Sequence, residues 1–290
     1  MKNYILITKF GIVIFILLAA SLGHLLGLNP EHGFSFLNYT WLLAGLFFLS
    51  SASFIGNQLQ EINLDKQMLR TQNRPLANGS WSKGAAFSLA TIFFLLGSFS
   101  LWKINLTTCL LGLLTILTYN GFYTMIWKPK WQFGAVPGAI PGALPVVIGY
   151  AAADTNIFST QSVYLFMILF LWQMPHFWTL AIKLKDDYGR GSVPVLASKR
   201  DLSTTLYHIG LYTFAYSALA IASPLFVKAH VVYVAFVVPI AIKVLVEFFR
   251  YFQRANSANW LRWFIWVNVS LLFFLAAPAI DKWYLFLFTT

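Results

Sequence analysis

Residues 57 to 76 read NQLQEINLDKQMLRTQNRPL. On a helix of 3.6 residues per turn, the i, i+4, i+8 spacing aligns Asn57, Glu61 and Asp65 on one face. Two carboxylates one turn apart repel unless something cationic sits between them. An oxygen-only set of this kind suits Mg2+, which is commonly held by one or two carboxylates together with substrate phosphates and waters. The basic residues that follow supply the complementary half. Arg70 and Arg74 are again four apart if the helix persists, and guanidinium groups bind phosphate oxygens in a bidentate fork. Pro75 then ends the helical pattern. A loop that only set topology would need lysines and arginines but has no use for an aligned Asn, Glu and Asp.

A second polar cluster closes the stretch FLWQMPHFWTLAIKLKDDYGRGSVPVL at residues 170 to 196, where Asp186, Asp187 and Tyr188 are flanked by Lys185 and Arg190. In the span count given below, both clusters emerge on the cytoplasmic side. Two acidic and basic patches at one end of a helical bundle describe a site for Mg2+ and a diphosphate, and the apolar interior beneath them suits a long hydrocarbon.

The elements that must position these residues are membrane helices. Of 290 residues, 59% are hydrophobic and only 10% charged, with a mean hydropathy of +0.69, whereas about a quarter of a soluble domain is charged. A spanning helix needs about 20 mostly apolar residues. Nine stretches qualify: Thr8 to Leu28, Tyr39 to Ile55, Ala85 to Trp102, Leu106 to Trp127, Phe133 to Ala153, Val163 to Ile182, Leu206 to Val227, Val231 to Phe248 and Leu261 to Ile280. The runs are continuous rather than alternating, which selects helices over a β-barrel. The expected fold is therefore an all-α integral membrane bundle of about nine transmembrane helices. No linker, low-complexity tail or composition shift divides it, so residues 1–290 read as a single membrane domain. Lys2 and Lys9 stand ahead of the apolar run of the first stretch as they would in a signal sequence, but no small-residue cleavage site with a polar mature start follows, and it counts as the first span. Cys109, the single cysteine, sits mid-span, excludes an intramolecular disulfide and reads as a buried structural thiol.

A formal net charge of +11 raises the question of nucleic acid, and its distribution answers it. With the N-terminus in the cytoplasm, 16 of the 20 lysines and arginines fall on inward loops and helix ends. Lys103, Lys228 and Lys282 fall outside, and Lys243 lies within a span. That asymmetry is the positive-inside rule. It places the N-terminus inside and the C-terminus outside, and no nucleic-acid partner is needed. One internal repeat stands out: GAVPGAIPGALP, residues 134 to 145, puts Gly134, Gly138 and Gly142 on one stripe and Pro137, Pro141 and Pro145 on another. Such glycines admit a neighbouring helix, and each proline removes a backbone hydrogen bond. The segment is expected to be kinked or partly unwound.

At these residues the chain resembles the UbiA superfamily of membrane prenyltransferases, whose pattern is an Asn with acidic residues four and eight positions later and a second acidic motif after the sixth of nine spans. Within it the chain looks most like the branch that prenylates haem. The branch signature D-x-K-M-x-R-T-x-N-R-P-L is met by Asp65, Met68, Arg70, Thr71, Asn73, Arg74, Pro75 and Leu76, with Lys66 one place before the usual lysine. W-Q-x-P-H before a D-Y and a P-V/M-L is met by Trp172, Gln173, Pro175, His176, Asp187, Tyr188, Pro194 and Leu196. Similarity runs from the ITK near the N-terminus and thins after about residue 200. The chain departs from the pattern at Glu61, usually Asp; at Asn63, often a further Asp; at Phe10, commonly Pro; and at Gly134, where many members have Asn.

The resemblance implies transfer of a farnesyl group from farnesyl diphosphate to a vinyl group of protohaem IX, giving haem O. The setting would be the lipid bilayer of a bacterial plasma membrane, with haem as substrate rather than resident cofactor, and with a haem-A synthase or oxidase-assembly enzyme as a candidate partner. It implies Mg2+ held by Glu61 and Asp65 beside Asn57, with Asp187 across the site. Arg70, Arg74 and Lys66 or Lys128 would stabilise the diphosphate as a leaving group, with Tyr188 at the substrate. Aromatic faces, 18% of the residues, would stabilise the farnesyl cation. His176 is the residue expected to contact haem, since a neutral imidazole is a common ligand to haem iron. His24, near the outer end of the first span, could hold a propionate or nothing; His32, His208 and His230 read as interfacial anchors. Two rivals share parts of this pattern. A prenyltransferase acting on an aromatic quinone precursor would keep the diphosphate site and lack a use for WQMPH. A transporter or non-catalytic haem carrier would place polar residues at the membrane midplane rather than at one rim.

Overall fold

A computed structural model describes residues 2–225, 227 and 230–289, and no strand occurs among them. Lys228 lies outside the described residues, as do the side chains of Lys2 and His32. Every one of the nine apolar stretches falls on a helix. These are α1 (Phe10–Gly27), α2 (Phe36–Gln60), α3 (Lys83–Trp102), α4 (Leu106–Ile116, running on as a π-helix over Leu117–Trp127), α5 (Ala135–Ala151), α6 (Thr160–Lys183), α7 (Leu202–Ala222), α8 (Val231–Gln253) and α9 (Ser257–Thr289). Six of them, α1 to α4, α6 and α9, are long and apolar enough to cross a membrane. Ser35, Ser82, Asn105, Ser159 and Asp201 each accept a hydrogen bond from the backbone N–H three residues on, satisfying donors that a helix start leaves open.

Apolar side chains point outward as well as inward: Phe87, Leu95, Leu106, Leu110, Met125 and Phe214 are exposed, as suits helices whose surroundings are as apolar as leucine. Helix association then depends on close fit. α1 packs on α5, α2 on α3, and α6 on α5, α7 and α9, while α9 also returns to α1. At the α1–α5 contact a Cβ on Gly149 would lie 1.9 Å from the Ala20 carbonyl oxygen, so two backbones touch where only glycine fits.

Three expectations need correction. The Gly/Pro repeat is not unwound, because α5 runs through Pro141 and Pro145. Gly138 and Gly142 accept side chains, of Tyr123 and of Gln173 on α6: Gln173 fills the space of a Gly142 Cβ, with Oε1 2.0 Å from that position, and donates Nε2 to the Ala139 carbonyl at 2.9 Å. The irregular backbone is instead the π-helix, where the Thr124 hydroxyl donates to the Tyr119 carbonyl five residues back at 2.9 Å; such π segments are frequent at functional sites. The helix of the opening motif does not persist either. α2 stops at Gln60, Glu61 sits at a break, a short helix covers Ile62–Gln67, and residues 68 to 82 are turns, so Arg70 and Arg74 are not one helical turn apart. Cys109 stands one turn into α4, half-buried with Sγ 3.6 Å from the Ser98 carbonyl oxygen, rather than mid-span.

Candidate active site

The C-terminal ends of α2, α4 and α6 and the start of α1 converge on one cavity of about 770 Å³. Asn57, Glu61 and Asp65 all line it and are all buried, at 2%, 7% and 2% exposure. The helix break at Glu61 keeps the three on one side, and each is held by a group from elsewhere in the chain. Arg74 Nη1 donates to both Asp65 oxygens at 2.8 Å. Lys128, at the end of the π-helix, donates to Glu61 Oε1. Asn57 donates Nδ2 to the Thr124 hydroxyl at 3.2 Å and accepts at Oδ1 from Lys9 Nζ at 2.9 Å. Lys9 sits in the left-handed region, φ 50°, between the short helix Lys2–Ile7 and α1. That strained turn aims its ammonium at Asn57 and over the Phe54 ring, 5.0 Å from the centroid. Neither Lys9 nor Arg70 has an ion-pair partner among the described residues, though both line the cavity.

Asp187 does not join this group. It lies with Asp186, Lys183 and Arg190 along a separate shallow pocket behind residues 69 and 70. Its carboxylate accepts from the backbone N–H of Leu69 at 2.7 Å and of Arg70 at 3.4 Å, and from Arg190 Nη2 at 2.9 Å. Burial works to raise its pKa, but Arg190 and the two N–H groups outweigh that and hold the carboxyl below its usual range. Accordingly no three His, Cys, Asp or Glu side chains converge on a point among the described residues. Glu61 and Asp65 share the cavity, and the expected third carboxylate instead fastens the loop that carries Arg70 and Arg74. Lys66 is exposed and outside the cavity, so of the two lysines weighed for the diphosphate only Lys128 is in place. Tyr188 lines the cavity edge-on to Phe177, and burial pushes its phenol above the usual range.

The opposite wall of the cavity comes from α1, α5, α6 and α9. Phe15 stacks on Trp172 at 5.8 Å, and the His176 ring lies between Trp172, at 4.6 Å, and Phe264, at 5.2 Å. His24 is buried against Tyr39 and Phe34 and does not line the cavity. His208 packs on Phe133 and Trp178.

The model of the UbiA prenyltransferase family matches residues 12–287. The chain belongs to this family. Among curated relatives, a protoheme IX farnesyltransferase of Bdellovibrio bacteriovorus is 45% identical over 283 residues, covering 98% of this chain and 97% of that protein. Among solved structures, a digeranylgeranylglyceryl phosphate synthase superposes with a TM-score of 0.77 at 18% identity, over 96% of this chain and 98% of that one. A UbiA homologue from Archaeoglobus fulgidus bound to GPP and Mg2+ gives 0.68 at 16%, over 96% and 99%. These two distant likenesses establish the fold: an all-helical integral membrane protein of UbiA type.

Membership gives meaning to where the chain departs from the family pattern. Asn63 is exposed and off the cavity, so the missing aspartate there removes no charge from the site. Glu61 is inside it, and the extra methylene spans to Lys128. Lys9 is the cavity residue that sequence reasoning misses, because its charge also serves topology; its place in the ITK run is the available signal.

Proposed function

We propose that this chain is a protohaem IX farnesyltransferase, which joins the farnesyl group of farnesyl diphosphate to a vinyl group of protohaem IX to give haem O. One observation carries the reading: a single cavity holds buried carboxylates with surplus cations at its rim and an aromatic wall bearing His176 deeper in, with apolar lining between. Its volume falls within the roughly 300–1,000 Å³ of small-molecule sites. The name borne by the Bdellovibrio relative supports the choice of acceptor, and GPP with Mg2+ in the Archaeoglobus homologue supports a prenyl diphosphate and a divalent ion.

The residues fit Mg2+. Glu61, Asp65 and Asn57 offer only oxygen donors with buried side chains, and each carboxylate is neutralised here by a cation whose charge a bound ion would replace. When bound, Mg2+ would neutralise the diphosphate and so improve it as a leaving group. Arg74 and Lys128, released from the carboxylates, would join Lys9 and Arg70 in holding the diphosphate oxygens. As the C–O bond breaks, charge spreads over the allylic end of the farnesyl chain. Tyr119 and Tyr123, stacked at 5.7 Å beside the acidic end, offer π faces to it. The vinyl carbon of haem attacks, and water captures the resulting cation with loss of a proton, leaving a hydroxyethylfarnesyl chain. Membranes containing the protein, given farnesyl diphosphate, Mg2+ and haem, are expected to yield that product by mass spectrometry. Absence of farnesylated haem together with prenylation of 4-hydroxybenzoate would move the chain to the quinone branch.

We also propose a single domain crossing the plasma membrane nine times, N-terminus cytoplasmic and C-terminus outside. Both acidic clusters lie at the end of the bundle where the basic residues gather. In a Cys109→Ser background, cysteines at Asn78 and Ser192 are expected to label only from the cytoplasm, and one at Asn156 only from outside. Labelling of Asn78 and Ser192 from opposite faces would break the shared site.

A further inference from the structure

Asn268 stands on α9, far from the motifs that mark the diphosphate site, and it lines the cavity beside His176. Its Nδ2 donates to the Phe264 carbonyl one turn back at 2.5 Å. A carbonyl only accepts, so this contact decides which way round the amide lies and turns Oδ1 toward His176 Nδ1, 2.7 Å away. An amide oxygen also only accepts, so Nδ1 must carry the proton. The lone pair of the neutral ring is then on Nε2. Trp172 on one side and Phe264 on the other clamp the ring, both within 33° of parallel, and Nε2 takes no partner among the described residues. Unlike His24, which packs off the cavity with neither nitrogen hydrogen-bonded, His176 lines it. This one gives one nitrogen to an oriented amide and leaves the other for whatever enters the cavity, which is how proteins prepare imidazole for a metal.

We propose that Asn268 is a positioning residue that fixes the His176 tautomer, so that Nε2 is presented as an axial ligand to the iron of substrate haem. The inference rests on the haem reading above and sharpens it. Axial coordination anchors the porphyrin at its centre while leaving its edge, where the vinyl groups are, free to meet the farnesyl chain. Specificity for a metalloporphyrin over a phenol then comes from a residue pair on α6 and α9, remote in sequence from the diphosphate motif.

The test titrates full-length protein in nanodiscs with protohaem IX, reading the absorption spectrum, affinity and midpoint potential. Calorimetric binding of farnesyl diphosphate with Mg2+ checks that each variant is folded. Wild type is expected to give a histidine-ligated spectrum, and His176→Ala to lose it. Asn268→Leu, which lets the ring present either nitrogen, is expected to weaken haem binding by about 10- to 100-fold, the usual effect of losing a partner behind a metal-bound histidine. Asn268→Asp keeps an acceptor for Nδ1–H and is expected to retain ligation while lowering the midpoint potential, because a carboxylate makes the imidazole a stronger donor. A change in packing alone would not move the potential in that direction. An unchanged spectrum in His176→Ala, unchanged affinity in Asn268→Leu, or Asn268→Asp behaving like Asn268→Leu would each overturn the inference while leaving the functional reading in place. Wild type that binds the diphosphate but no haem would overturn the functional reading and this inference with it.

Discussion

The two acidic clusters look alike in sequence, each a pair of acids leaving a span with lysine and arginine close by, yet they face opposite ways. Glu61 and Asp65 turn into the cavity and are held there by Lys128 and Arg74. Asp187 turns away from it and holds the backbone of Leu69 and Arg70. The first cluster is arranged to exchange its cations for a metal and a diphosphate. The second is arranged to keep in place the loop that bears Arg70 and Arg74. A carboxylate near a site can thus serve the chemistry directly or serve the backbone that carries it, and only its hydrogen-bond partners distinguish the two.

The largest effect should come from the cavity-facing pair. Asp65→Asn and Glu61→Gln remove a charge that the diphosphate site depends on, and turnover should fall by about 10³-fold, comparable to loss of a key electrostatic group, with the amount of protein in the membrane unchanged. Normal activity in both variants would remove the site assignment.

Asp187→Asn should cost less and differently. It keeps an acceptor for one N–H but loses the pairing with Arg190, and hydrogen bonds to charged groups contribute about 1.5–3 kcal/mol. The expected result is a loss of about tenfold in kcat/KM, with faster proteolysis within residues 68 to 81. A loss as deep as that of Asp65→Asn, with no change in proteolysis, would mean that Asp187 acts on the metal, and the contrast between the clusters would fall. The pH dependence sharpens the same point. A carboxyl depressed in the folded chain contributes stability above its unfolded pKa of about 3.9 and loses it as pH falls through the folded value. With Asp187 held low, protection of the loop should be flat between about pH 5 and 8 and lost only in stronger acid.

The parts of this arrangement that sequence could reveal are the local ones. Each apolar stretch read from hydropathy falls on a helix among the described residues because it is a continuous apolar run, and the spacing of Asn57, Glu61 and Asp65 brings them together because the break at Glu61 does not turn them apart. What sequence did not reveal depends on partners far along the chain. Lys9 meets Asn57 across 48 residues, Lys128 meets Glu61 across 67, and Asn268 meets His176 across 92. The direction of Asp187 is decided by backbone N–H groups 117 and 118 residues away. Backbone donors have no sequence signature at all. The π-helix was hidden for a related reason, since its residues carry on the same membrane-length run without a proline or charge to mark the change.

Glu61→Asp should produce the smallest change, and it tests whether side-chain length at the cavity-facing cluster matters once charge is kept. The shortened carboxylate retreats from Lys128 by about one methylene, roughly 1.5 Å of carbon–carbon reach. Lysine has a flexible four-carbon stem that can follow it. Residue 61 sits at the break between α2 and the short helix Ile62–Gln67, with φ −106° and ψ 15°, and its side chain makes no cap hydrogen bond. Aspartate is a better N-cap residue than glutamate there, so thermal stability should hold or rise slightly. Activity within about threefold of wild type, less than 1 kcal/mol in the barrier, is the expected outcome in a product assay. A loss approaching that of Glu61→Gln would mean that the distance spanned to Lys128, rather than the negative charge, is what the site needs at this position.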